Sequence, residues 1–199
     1  FGIWKPRTNA CSFEGVGING LPWIKEITEM GIPVATEVMI PKHVNQIAET
    51  LSEKENFILW LGSRNQNQFI QKPIAKAIKR NMPEQTILMI KNQPWRSKKH
   101  WLGIFSWILD AGFPENRIWF CHRGFAPDNN AASTLRNIPD FEMAMEVKEE
   151  TKRPMILDPS HIGGSQTNVF RITKSALDFD FDGFMVEVHP DPENALTEA

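Results

Sequence analysis

Short apolar runs alternate along the chain with longer segments whose apolar positions recur at helical spacing. The short runs predict strands over 33–38, 57–61, 86–91, 117–122, 154–158 and 183–188, with residues 1–5 as the remnant of one more. They are nearly uninterrupted, as in Ile87-Leu88-Met89-Ile90, the pattern of strands covered on both faces in a parallel sheet. The longer segments predict helices over 21–30, 41–52, 67–82, 98–111, 140–152 and 167–179. Pro41 suits a first helical turn, and Gly31 and Gly112 suit helix C-caps. Residues 124–137 read as a longer polar loop.

A strand recurs roughly every 25–35 residues, one βα unit each. Repetition of that unit means a doubly wound sheet or a (β/α)8 barrel. No Gly-x-Gly-x-x-Gly or phosphate loop follows a strand, which weighs against the nucleotide-binding sheet. No linker, repeat or low-complexity segment divides the 199 residues, so one domain is expected.

Polar residues gather where the predicted strands end. The successive ends give Lys5 and Arg7; Thr36 and Glu37; Ser63, Arg64 and Asn65; Lys91 and Asn92; His122 and Arg123; Asp158, Ser160 and His161; and Glu187 and His189. In a parallel α/β protein these ends share one rim. One charged residue closing a strand is an ordinary solvated loop residue, but repetition at seven ends calls for a site.

Composition sharpens this reading. The chain is 41% hydrophobic with a net charge of −2 and a pI near 6.2, which excludes a disordered chain and a broad nucleic-acid surface. No apolar run reaches the ~18 residues of a membrane span. Against that slightly acidic background, Lys5, Arg7, Arg64, Lys91 and Arg123 concentrate positive charge on the rim. Guanidinium forks match phosphate oxygens and an ammonium supplies a point charge. The set suits substrates carrying several anionic groups, such as two phosphates and a carboxylate. The competing reading pairs these cations with Glu37, Asp158 and Glu187 in a structural network.

His161 and Glu187 form a second constellation, one imidazole and one carboxylate able to bind a divalent cation, with Glu198 as a third oxygen donor. His161 lies in Asp-Pro-Ser-His-Ile-Gly-Gly, where Pro159 fixes the chain and the glycines allow close approach to a ligand. His189 suits a supporting position. His43 and His100 read as helical surface residues. Two cysteines, Cys11 and Cys121, exclude a disulfide scaffold and fit a reducing cytoplasm; Cys121 reads as buried packing. Trp60, Trp107 and Trp119 read as core, and Trp4 as packing beside Lys5. With no Tyr, a phenol cannot serve as the general acid or base.

The ordered segments resemble a known enzyme group. They are Lys5-Pro6-Arg7-Thr8, Ser12-Phe13-Glu14-Gly15, Ala35-Thr36-Glu37-Val38, Gly62-Ser63-Arg64-Asn65, Ile90-Lys91-Asn92, His122-Arg123-Gly124, Asp158-Pro159-Ser160-His161 and Val186-Glu187-Val188-His189-Pro190. From Phe1 to Ala199 the chain resembles type I beta 3-deoxy-D-arabino-heptulosonate 7-phosphate (DAHP) synthases, in the branch often fused to chorismate mutase. The resemblance implies an α/β (β/α)8 TIM barrel, a single domain over 1–199 that lacks the first βα unit and most of the last helix. It implies condensation of phosphoenolpyruvate with erythrose 4-phosphate, the first step of the shikimate pathway. Lys5, Arg64, Lys91 and Arg123 would hold phosphoenolpyruvate. Lys5, Pro6, Arg7 and Thr8 would hold erythrose 4-phosphate. Lys5 and His161 would be catalytic, and His161, Glu187 and Glu198 would bind a divalent metal (Mn, Fe, Co or Zn).

It further implies a cytoplasmic homo-oligomer with no nucleic-acid or membrane partner, and a fused or associated chorismate mutase. The family's metal cysteine would precede Phe1, and neither Cys11 nor Cys121 aligns with it; Glu198 stands where the family carries Asp. The alternatives are a 3-deoxy-octulosonate 8-phosphate synthase-like enzyme and an inactive homologue with a binding role.

Overall fold

The computed structural model describes residues 2–7, 9–50, 57–127, 134–189 and 191. It forms two compact units, one of Phe1–Ile90 with Leu102–Ile118 and one of Lys91–Trp101 with Trp119–Ala199.

The first unit alternates helices and strands: α1 (Leu21–Glu29), β1 (Val34–Glu37), α2 (Pro41–Thr50), β2 (Phe57–Leu61), α3 (Gln68–Asn81) and β3 (Ile87–Lys91). Helix α4 (Lys98–Asp110) follows β3. The strands pair in parallel in chain order, with Val34 beside Phe57 and Leu61 beside Ile90. Val34, Phe57, Leu59, Leu88 and Ile90 are buried, as are Ile24, Val44, Ile47, Ile74 and Ile78 from the helices. Each apolar run therefore has apolar cover, which is why the runs carry so few polar residues. Asn67 caps α3 by accepting from the Phe69 amide, and Lys79 and Arg80 close it where the helix dipole favours cations.

The second unit contains β4 (Ile118–His122), α5 (Phe141–Thr151), β5 (Met155–Leu157), α6 (Pro159–Gly163), α7 (Gln166–Ala176) and β6 (Gly183–Phe184). Its strands also pair in parallel in chain order, with His122 beside Leu157 and Leu157 beside Phe184. Phe141, Leu157, Ile162, Ile172 and Ala176 form its apolar cluster, with Phe179 and Phe181 packed against it. Asp140 caps α5 by accepting from the Met143 amide at 3.0 Å.

Four local expectations are corrected. Residues 2–5 form no strand. Their backbone pairs instead with the loop that follows, Gly17 N donating to Ile3 O and Lys5 N to Glu14 O, both at 2.8 Å. The predicted 183–188 strand is only two residues long, because β5 ends at Leu157 and turns into α6, removing the ladder acceptors. Residues 159–163, where no element is predicted, form that short helix. Finally, two side chains change places: His43 is buried rather than exposed, and Trp107 is exposed, with the Lys72 ammonium 5.2 Å from its ring.

Candidate active site

In the second unit, Lys91 closes β3 and Asp158 follows β5. The Lys91 Nζ lies 2.7 Å from Asp158 Oδ2 in a buried ion pair. Burial by itself would raise the Asp158 carboxyl, but the Lys91 ammonium and the adjacent His161 ring outweigh it and hold the group far below the usual carboxylate range. The other Asp158 oxygen accepts from the His161 amide at 3.0 Å, capping α6. Asp-Pro-Ser-His is thus a helix start, with an acceptor at the cap and proline in the first turn. One aspartate consequently orders both the cation that ends β3 and the turn that carries His161.

The His161 Nδ1 is shielded from solvent and has no aligned hydrogen-bond partner. It sits 2.8 Å from Asp158 Oδ2 and 4.0 Å from Glu187 Oε1. Glu187 is held from behind, its amide donating to Ser160 Oγ at 2.9 Å. An imidazole oriented by Asp158 and facing the half-buried Glu187 carboxylate fits a divalent cation in donor type. It supplies two donors, and among the described residues no group of three His, Cys, Asp or Glu is arranged to hold a metal. Glu198 lies outside the described residues. His189 is not in that arrangement, being exposed with its ring against Asp191.

Arg123 is positioned by two asparagines. Asn92, fully buried, accepts from the Arg123 amide at 2.7 Å and donates to the Gly124 carbonyl at 2.8 Å. Asn137 accepts from the Arg123 guanidinium at 3.4 Å. Gly124 has φ +75°, and a Cβ there would lie 2.8 Å from the Asn137 Cβ, so the turn requires glycine. Asn92 and Ser160 were visible in sequence as strand-end residues, but Asn137 was not, because a buried amide in a polar loop carries no periodicity. Cys121 is buried and its thiol is pushed up to about 12 by desolvation, so it packs and does not attack. The adjoining His122 is pushed down to about 4 by burial, and its Nε2 accepts from the Asp140 amide at 3.0 Å.

The first unit brings together a second part of the anticipated set. Arg64 donates to the Pro6 carbonyl at 2.6 Å, and Arg7 Nε donates to the Phe13 carbonyl at 2.7 Å. Trp4, just before Lys5, stacks on the His43 ring with centroids 3.9 Å apart. Lys5, Pro6 and Arg7 are half-buried, Arg64 is exposed, and Thr8 lies outside the described residues. The close packing of Gly62 behind Arg64 has a cause: a Cβ at Gly62 would meet the Glu37 carboxylate at 1.9 Å.

Apart from the Lys5–Arg7 segment, which no strand precedes, these residues sit at or just beyond strand ends, and the sequence model of the DAHP synthetase I family matches residues 1–199. The chain belongs to the DAHP synthetase I family. It is 30% identical, over 99% of its length, to a phospho-2-dehydro-3-deoxyheptonate aldolase of Thermotoga maritima, of which it covers 54%. A crystal structure of that kind from Thermotoga maritima, described as a DAHP synthase, superposes with a TM-score of 0.79 at 27% identity, covering 98% of this chain and 52% of the other. A 2-dehydro-3-deoxyphosphooctonate aldolase of Xylella fastidiosa is 25% identical over 96% of this chain and 67% of its own. The chain thus spans about half the length of the Thermotoga relatives it matches. The parallel βα repeat and the structural likeness place this member of the DAHP synthetase I family in the α/β, TIM-barrel class. No described helix is long and apolar enough to cross a membrane.

Proposed function

We propose that the protein condenses phosphoenolpyruvate with erythrose 4-phosphate and water, giving DAHP and inorganic phosphate at the first step of the shikimate pathway. The observation that carries the reading is the family match over the whole chain, which includes every cationic and metal-donor residue named above. Arg64, Lys91 and Arg123 hold phosphoenolpyruvate. Fixed guanidinium groups suit its phosphate and carboxylate, and Asp158 keeps the Lys91 ammonium aimed and charged. Pro6, Arg7 and Thr8 hold the phosphate end of erythrose 4-phosphate, and Lys5 reaches both substrates and moves protons between them. His161, Glu187 and Glu198 hold a divalent metal. When bound, such a cation polarises the aldehyde oxygen as a Lewis acid. The methylene carbon of phosphoenolpyruvate then forms the new bond to the aldehyde carbon, whose oxygen takes up a proton; water adds at the phosphate-bearing carbon and loses a proton, and the C–O bond to phosphate breaks.

The enzyme works on this reading as a cytoplasmic homo-oligomer acting on small molecules. An associated chorismate mutase goes with it and is checked by co-purification.

Phosphate release from phosphoenolpyruvate and erythrose 4-phosphate with Mn²⁺ tests the reaction, with the product identified by mass. Release with erythrose 4-phosphate supports it. Turnover only with a different phosphorylated aldose moves the assignment to the octulosonate side, to which the Xylella fastidiosa relative belongs. Absence of turnover with both, in protein that still binds Mn²⁺, assigns a binding role.

A further inference from the structure

Asn137 is buried in the stretch before α5, where nothing in sequence distinguishes it from its polar neighbours. Its side chain makes two bonds in opposite directions. The Oδ1 accepts from the Arg123 guanidinium at 3.4 Å, and the Nδ2 donates to the His161 carbonyl. Its own amide donates to the Ile162 carbonyl at 3.2 Å, one residue further along the same turn. Phe125 and Ile138 exchange backbone hydrogen bonds at 2.9 and 2.8 Å, so the chain on either side of this bridge is clamped. An amide suits this place because it supplies a donor and an acceptor from one planar group. A carboxylate lacks the donor, and a hydroxyl lacks the reach.

We infer that Asn137 is a positioning residue that sets the Arg123 guanidinium in register with the turn carrying His161, and so couples the anion-binding arm to the metal-binding imidazole. The inference rests on the roles given to Arg123 and His161 under the proposed function. It adds that the two roles are not independent. The Asn92 bonds hold the Arg123 backbone, while Asn137 adds a bond that helps to aim its charge. Loss of the Asn137 amide removes a donor from the His161 carbonyl and one restraint from the guanidinium. Outer partners of metal ligands typically change metal affinity about 10- to 100-fold when removed.

The test is a double-mutant cycle in the intact protein. Phosphoenolpyruvate binding is measured by calorimetry in metal-free protein, and Mn²⁺ binding by electron paramagnetic resonance. Asn137→Ala is expected to weaken Mn²⁺ binding by about tenfold and to weaken phosphoenolpyruvate binding in the same direction. Arg123→Met weakens phosphoenolpyruvate binding alone, and the double variant is no weaker for phosphoenolpyruvate than Arg123→Met, because Asn137 acts through Arg123. A merely structural residue gives additive losses instead. Asn137→Ser is carried in parallel, so that a folding failure of the alanine variant, read from its thermal melt, leaves the cycle measurable. Wild-type affinities retained within twofold in Asn137→Ala or Asn137→Ser, or additive losses in the cycle, overturn the inference. Wild-type protein that binds neither phosphoenolpyruvate nor Mn²⁺ overturns the underlying reading as well, so the two failures are distinct.

Discussion

The Lys91 ammonium lies 2.7 Å from the Asp158 carboxylate, with 7% and 1% of the two side chains exposed. Two charges so far from water are stable only together. A buried pair adds little net stability over an apolar pair of the same size, but removal of one member strands the other. From the sequence Lys91 is a candidate substrate-binding cation and Asp158 a candidate structural counter-charge. The structure pairs the two.

Asp158→Ala is therefore expected to lower stability by about 3–5 kcal/mol. Asp158→Asn keeps the acceptor for the His161 amide and isolates the loss of charge. Lys91→Met combined with Asp158→Asn recovers much of the deficit, because no unpaired charge remains. Urea unfolding of the four proteins measures all three statements. Equal stability of the single and double variants would remove the argument.

Acid sensitivity is expected well above the range where carboxylates protonate. His43 and His122 are both pushed down to about 4, chiefly by burial. A histidine held neutral by folding contributes its stability in full above its unfolded value near 6.5, and loses it as pH falls toward 4. The two together account for a loss of roughly 2–6 kcal/mol across that window. His43→Phe keeps the stack on Trp4 and removes one titration. Its melting temperature is expected to fall less steeply between pH 6.5 and 4 than that of the wild type. An unchanged slope refutes the assignment for His43.

Gly15 governs the segment that carries Lys5 and Arg7. Its φ is +95°, and a Cβ would lie 2.2 Å from the Ile3 carbonyl oxygen. Gly15→Ala is expected to cost of order 1–3 kcal/mol from backbone strain, with the steric conflict adding to it. Arg7 is tied to the neighbouring Phe13 carbonyl, so loosening the loop exposes it. Trypsin cleavage after Arg7 should accelerate in the variant while cuts elsewhere keep their rates. Limited proteolysis followed by mass analysis reads this directly.

Metal binding by His161 and Glu187 predicts a stability increment that chelation removes. Mn²⁺ at about 100 times its Kd stabilises a single-site protein by about 2.7 kcal/mol. The melting temperature should rise accordingly in wild-type protein and stay unchanged in His161→Gln. A rise of equal size in that variant places the metal elsewhere.

Much of the fold was legible in the sequence because each strand is covered by apolar residues. Ile87-Leu88-Met89-Ile90 became β3, and the Phe57–Leu61 run became β2 without a residue's error. Helices α1, α3, α4 and α5 fall within one residue of the expected bounds, whereas α7 runs from Gln166 to Ala176 and stops short of the expected end. Elements specified by hydrogen bonds were less visible. The Asp158 cap made a helix where no element was predicted, and backbone bonds to the 14–17 loop replaced a first strand. His43 looked exposed because its partner, Trp4, is 39 residues away and no local pattern announces a ring stack. In the site, Lys91, Arg123 and His161 were legible as charged or imidazole groups at strand ends. Asn137 was not, and Ser160 was visible only by position, since the importance of both lies in which carbonyl or amide they face.

The brevity of β6 also sets how the Glu187 carboxylate can move. Beyond Phe184 the chain keeps one more bond to β5, from Met185 N to Leu157 O, and then relies on the Ser160 hydroxyl. Val186 and Val188 on either side are exposed and anchor nothing. Fraying of those two hydrogen bonds would release the segment that carries Glu187, whereas His161 sits on the Asp158-capped turn of α6. Amide exchange at Glu187 is therefore expected to be faster than in α6, and it reports how often that segment opens.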